Sequence, residues 1–258
     1  MPGKWRYKPK PARRTSEKIY IFPEGDKKEI RYFEYFQDKI EKQHKIEIVP
    51  IPHGERNHSP LGLFDFAKAA FFDENCTEYT NFRANNYELL SKDQVWIIFD
   101  TDPQTWENEA IEYLYFMVSN KPNWFVAESN PCFEVWLYYH FFEKNAYEEY
   151  HDEEIDWKTF LGEKIKGGFN PNKDPEGLKN AIEYSQKAFK YLRTESEILN
   201  KEAFVNYMVE KELNLTKEKN WEKDFKYDCD FSEILKDRPD NGHTNLFKLG
   251  AIIINLLE

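Results

Sequence analysis

Apolar residues fall along this chain in two rhythms. Short runs in which nearly every position is apolar lie within EKIYIFPEG (17–25), KIEIVPIP (45–52) and DQVWIIFDTD (93–102), and a fourth covers residues 123–128 of NWFVAESN. Runs of this length, bounded by turn residues, predict buried strands, and strands apolar on both faces suit a parallel sheet covered by helices. Between them the period changes. In KKEIRYFEYFQDKIEKQ, residues Ile30, Phe33, Phe36 and Ile40 recur at helical spacing. Pro60 to Phe72 reads as a helix with Leu61, Phe64, Ala67/Lys68 and Phe71 along one side, and Gln104 to Ser119 reads as another. Asn130-Pro131 predicts the start of a further helix, PCFEVWLYYHFFEK, with Asn130 as N-cap and Pro131 at the first helical position.

The order β-α-β-α-β-α-β-α predicts an α/β unit with an open, mostly parallel sheet flanked by helices. Beyond it the texture changes. EEYHDEEIDWK is acidic, KGGFNPNKDPEG is turn-rich, and helical patterns follow at 176–193, 196–212 and about 245–257, with His243 and Thr244 at the start of the last. The division expected is a basic arm (1–18), an α/β core (19–145) and a helical extension packed on it (146–258).

Composition narrows the class. The 258 residues are 40 % hydrophobic and 32 % charged, and no apolar run approaches a membrane span, so a soluble cytoplasmic protein is expected. The N-terminal MPGKWRYKPKPARR lacks the apolar centre of a secretory signal. Cys76, Cys132 and Cys229 are odd in number and far apart, which argues against a disulfide frame or a zinc ribbon. Net charge is −11, yet residues 1–18 carry seven basic residues against Glu17, a net of +6, leaving −17 for the rest. The arm, with Trp5 and Tyr7 among its charges, is suited to gripping phosphate; a plain solvated tail is the competing reading.

Candidate chemistry gathers at one edge. Ligands of open parallel sheets sit at the carboxyl ends of the strands. Glu24 follows the first strand, Asp100 and Asp102 follow the third, and Glu134 lies near the start of the helix after the fourth. Two carboxylates about 4 Å apart repel by about 4 kcal/mol at an effective dielectric of ~20, so such a group calls for protons or a cation. A hard divalent ion takes oxygen ligands and keeps water and substrate phosphate in its shell. Each residue also has a structural reading. Asp100 and Asp102 suit a cap and a turn, Glu24-Gly25 suits an ordinary turn, and Glu134 suits the positive end of its helix dipole. His53 and His58 fit no zinc spacing, and His140, in an aromatic helix, reads as a core histidine. There is no P-loop, Gly-x-Gly-x-x-Gly or Gly-x-Ser-x-Gly in the sequence.

The sequence resembles the RloB-like proteins, which occur beside bacterial restriction-modification and abortive-infection genes. The matching stretches are the basic N-terminus leading to IYIFPEGDKKEIRYFEYF, then HGERNHSPLGLFDFAKAA, VWIIFDTD, SNPCFEVWLYYHF and PDNGHTNLFKLGAIIINLL. Ser129-Asn130-Pro131-Cys132-Phe133-Glu134-Val135-Trp136-Leu137 is the most specific of them. That family is similar to the Toprim fold of topoisomerases, primases and some nucleases. The resemblance implies Glu24, Asp100 and Asp102 as the catalytic residues, with Glu24 as general acid/base, and Glu24, Asp100 and Asp102 as the Mg²⁺ (or Mn²⁺) site, to which Glu134 is a family-specific addition. A lysine in Lys164-Ile165-Lys166-Gly167, taken as Lys166, matches a phosphate-contacting position. Gly25, Lys28, Ser129 and Asn130 complete the substrate-binding candidates. The sequence departs from the family at Lys28, where Thr is usual, at Ile30, where Pro is usual, and at Pro103, where an acidic or polar residue is usual.

Together with the carboxylate pattern, the resemblance implies a Mg²⁺-dependent Toprim-like nuclease acting on DNA or RNA; the resemblance alone implies the setting, phage defence with an ATPase partner that holds the protein inactive until infection. Two rivals stand beside it. A metal-dependent nucleotide-sugar transferase also uses Asp-x-Asp after an apolar strand, but leaves Glu24-Gly25 and the SNPCFE segment without a role. A non-catalytic interaction subunit would use the aromatic helix 131–143 as its interface. A haloacid-type phosphatase is disfavoured because Pro103-Gln104 separates Asp102 from Thr105.

Overall fold

The structure is a computed structural model that describes residues 16–25, 27–40, 45–52, 59–72, 89–101, 108–144, 146, 156–164, 177–189 and 243–257. Its elements in chain order are β1 (Glu17–Pro23), α1 (Lys28–Ile40), β2 (Ile46–Pro50), α2 (Pro60–Phe72), β3 (Gln94–Asp100), α3 (Asn108–Ser119) and β4 (Trp124–Asn130). Then come α4 (Glu134–Tyr139), α5 (Trp157–Lys164), α6 (Gly177–Phe189), β5 (His243–Thr244) and α7 (Phe247–Leu257). The sheet order is β2-β1-β3-β4-β5, with the first four strands parallel and β5 antiparallel to β4. This is an open α/β sheet flanked by helices, as the strand and helix rhythm predicts.

Side-chain alternation divides the core in two. Ile19, Ile21, Trp96, Ile98 and Ala127 face one layer, filled by α1, α4, α5, α6 and α7. Tyr20, Phe22, Val95, Ile97, Phe99 and Val126 face the other, filled by α2 and α3. The sheet is therefore apolar on both faces, which explains the unbroken apolar runs. Ile30, Phe33, Phe36 and Ile40 of α1 are buried, with Tyr32 added to the stripe. Ser59 caps α2 by accepting the Gly62 N–H at 2.9 Å, and Pro60 takes the first helical position.

Lys18 belongs to β1 rather than to a free arm. It is 7 % exposed and pairs with Glu47 at 2.8 Å. Residues 1–15, the stretch 196–212, and His53, His58, Cys76 and Cys229 lie outside the described residues.

Two local expectations are corrected. Asn130 is not a helix N-cap; it ends β4, pairs with His243, and is joined to Pro131 by a cis peptide bond. The helix starts later, at Glu134, with Phe133 at the cap position and no side-chain cap. His243 and Thr244 do not begin the last helix but form β5. The edge of β4 has unpaired backbone groups, and this segment supplies partners for them. The Asn245 side-chain oxygen accepts the Glu128 N–H at 2.7 Å, while the Asn245 N–H donates to the Glu128 carbonyl at 3.1 Å. Thr244 donates its hydroxyl to the same carbonyl at 2.8 Å. The extension thus completes the sheet as well as covering one face of it.

Candidate functional site

The connections out of β1 and β3 run in opposite directions. β1 leads through α1 to β2 on one side, and β3 leads through α3 to β4 on the other, with α1 and α3 on opposite faces. The gap between β1 and β3 is therefore the topological switch point, the place at the carboxyl edge where open α/β sheets bind ligands. Glu24 and Asp100 stand on the two sides of that gap.

The ladder itself fixes them. The Glu24 N–H donates to the Ile98 carbonyl at 2.8 Å, continuing the β1–β3 pairing by one residue. The Glu24 side chain then takes over: its carboxylate accepts the Asp100 backbone N–H at 2.8 Å. On the other side of β3, Thr101 donates its N–H to the Ser129 carbonyl at 2.8 Å. Asp100 is held by its neighbours on both sides, and its own carboxylate accepts the Phe133 N–H.

Two more carboxylates converge there. Glu134, 2 % exposed, enters from the first turn of α4. Glu29, 8 % exposed, enters from the first turn of α1. Burial holds the Asp100 carboxyl well above its ordinary value, and the negative charges of Glu24, Glu29 and Glu134 push it further in the same direction. Burial also raises Glu29, with Glu134 adding to the effect and Lys28 opposing it. Cys132 lies in the same field: burial lifts its thiol well above the usual range, and Glu134 and Asp100 add to that. Lys28 supplies positive charge, with its ammonium ion-paired to Glu134.

Of the residues predicted from sequence, the structure brings together Glu24, Asp100, Glu134, Gly25 and Lys28. Gly25 has a steric role: a Cβ there would overlap the Glu29 carboxylate. Ser129 is fully buried, its hydroxyl 2.9 Å from that of Thr244. Asn130 is 6 % exposed at the end of β4. Asp102 and Lys166 lie outside the described residues. His140 is a core residue, 2 % exposed and 3.1 Å from the Tyr32 hydroxyl.

Sequence reasoning missed Glu29. It reads as one more charge on an amphipathic helix, and Gly25 four residues before it was the available sign that something packs against that backbone.

Among the described residues, no three His, Cys, Asp or Glu side chains form a ready-made metal cage. The donor chemistry nonetheless fits a hard dication. Every candidate ligand is a carboxylate oxygen, and the group carries more negative charge than its surroundings relieve. Mg²⁺ is commonly held by one or two carboxylates, with water and substrate phosphate filling the rest of its shell.

The fold and the site define an open α/β protein with a cluster of carboxylates at its switch point. The chain belongs to the RloB-like family: the family model described as RloB-like protein matches residues 19–222, a span that contains Glu24, Asp100 and Glu134. No curated protein and no solved structure matched the chain. Among the described residues, no helix is long and apolar enough to cross a membrane.

Proposed function

We propose that this chain is a Mg²⁺-dependent nuclease of Toprim-like type, cleaving DNA or RNA phosphodiesters in bacterial phage defence under the control of an ATPase partner. The observation that carries the reading is the junction of Glu24 and Asp100 across the switch point, with Glu29 and Glu134 raising the Asp100 carboxyl. Like charges gathered at the switch point favour a cation, and their oxygens favour a hard one.

Asp100 and Glu134 are the described residues suited to hold the ion, with Asp102 as the sequence-adjacent third. Mn²⁺ would serve in place of Mg²⁺. When bound, the ion supplies positive charge to a phosphoryl oxygen and makes a water more acidic. Glu24 orients Asp100 through its backbone and stands within reach of a proton on the attacking or leaving oxygen. The strongly negative remainder of the chain disfavours loose nucleic-acid binding, so productive contact depends on the metal site and the basic arm. Control by an ATPase is proposed from the resemblance to defence systems alone; the sequence has no nucleotide-binding motif of its own.

The test is expression of the wild type and of Asp100→Ala/Asp102→Ala in bacteria, with and without the neighbouring gene, followed by sequencing of cleaved nucleic acids. The wild type is expected to be toxic or to leave new ends, and the double variant to do neither. Toxicity and cleavage that survive the double substitution would sink the reading.

A further inference from the structure

The carboxylate cluster already contains a cation of its own, and this bears on how a metal ion would enter. Lys28 is the first residue of α1, and its ammonium pairs with Glu134, whose side chain is 3 % exposed. The Lys28 side chain itself is 48 % exposed. The pair therefore has one fixed, buried end and one flexible, solvated end. Glu134 also acts on Asp100, Glu29 and Cys132, raising all three. Lys28 therefore neutralises a charge that reaches all three of these groups.

We propose that Lys28 is a tethered counter-cation that competes with the divalent ion for Glu134 and sets the metal affinity of the site. The inference rests on the metal-site reading above. A buried carboxylate needs a partner, and without a metal ion the lysine is that partner. A dication held by Asp100 and Glu134 repels the nearby ammonium and replaces its interaction with Glu134. The lysine leaves at small cost, because its long stem already lies half in water. Once released, it stands beside the carboxylate cluster as a positive charge for an incoming phosphate. The same residue then opposes metal binding in the free protein and favours substrate after the ion is in place.

The experiment is calorimetric titration of the full-length chain with Mn²⁺, and separately Mg²⁺, for wild type, Lys28→Met and Lys28→Arg. Removing the competitor is expected to tighten metal binding by about tenfold in Lys28→Met, while Lys28→Arg, which keeps the charge, stays near wild type. Equal or weaker affinity in Lys28→Met, with the wild type binding, overturns the role of Lys28 and leaves the metal site standing. No binding of either ion to the wild type or to Lys28→Met overturns both. A second measurement needs no variant: the Lys28 ammonium resonance of the wild type is expected to shift on Mg²⁺ titration. Saturation with Mg²⁺ without such a shift also overturns the proposal.

Discussion

The carboxylate of Glu24 accepts the backbone N–H of Asp100 at 2.8 Å, so a side chain from the end of β1 continues the hydrogen-bond ladder at the end of β3. The contact combines attraction and repulsion, since the same carboxylate raises the Asp100 side chain. Two substitutions separate these effects. Glu24→Gln keeps an acceptor for the N–H and removes the charge, whereas Glu24→Ala removes both. The alanine variant is expected to be less stable than the glutamine variant by about 1 kcal/mol, the net worth of one such hydrogen bond. Urea denaturation of the pair checks it. If the proposed nuclease reading holds, both variants are expected to lack cleavage activity, because neither can exchange a proton at that position.

Asp100 gives the site a pH dependence with a definite sign. Its folded pKa is raised by burial first and by Glu24, Glu29 and Glu134 next. The folded state therefore prefers the protonated form. Stability from this group is greatest at low pH and declines as pH rises from the ordinary carboxylate range through the raised folded value. Asp100→Asn cannot ionise and should escape the decline. The variant is expected to gain on the wild type as pH rises from about 4 in metal-free buffer, measured by chemical denaturation. Added Mg²⁺ should narrow the gap at pH 8 by stabilising the wild type alone.

Gly25 and Glu29 form a close backbone-to-carboxylate fit. A Cβ at position 25 overlaps the Glu29 carboxyl group, so Gly25→Ala must displace that side chain or shift the turn. Overpacking of this kind typically costs about 1–3 kcal/mol. Glu29→Ala removes the obstacle, so Gly25→Ala should cost much less in a Glu29→Ala background. A double-mutant cycle by thermal or chemical denaturation measures the coupling, and strict additivity would show that the two residues do not meet in solution.

Most of the sheet could be read from its apolar runs, because strands buried on both faces leave an unmistakable pattern. The convergence of Glu24, Asp100 and Glu134 was also readable, since short connections after parallel strands keep their ends together. What could not be read was settled by contacts distant in sequence. Asn130-Pro131 has the local signature of a helix start, yet β4 continues through Asn130 because Asp100 pairs with Ser129 and His243 with Asn130. β5 has two residues and no periodicity of its own. It exists because Thr244 and Asn245 fit the edge of β4 at Glu128. Glu29 and the Lys28–Glu134 pair join elements about a hundred residues apart. Their local sequence describes only a charged helix start.

The core beneath the site carries a second pH effect, of opposite sign. His140 is buried, and burial lowers its pKa to about 3. Trp136 donates its indole N–H to the Tyr32 hydroxyl at 2.9 Å, and that hydroxyl lies 3.1 Å from His140 Nε2. A neutral imidazole with Nε2 unprotonated accepts a hydrogen bond from the Tyr32 hydroxyl and completes the chain Trp136 to Tyr32 to His140. In the unfolded chain the same imidazole titrates near ~6.5. The folded value is the lower, so the contribution of His140 is fully present above the unfolded pKa and is lost as pH falls from about 6.5 towards about 3. Across that window the loss is on the order of 4 kcal/mol, enough to matter for a domain of ordinary stability. His140→Gln keeps an acceptor for Tyr32 and does not titrate. The variant is expected to flatten the acid side of the stability profile, with the wild type losing about 2–3 kcal/mol more than the variant between pH 7 and pH 4.5. Chemical denaturation of the two proteins at those pH values decides the matter, and parallel losses would show that His140 is already solvated in the folded state.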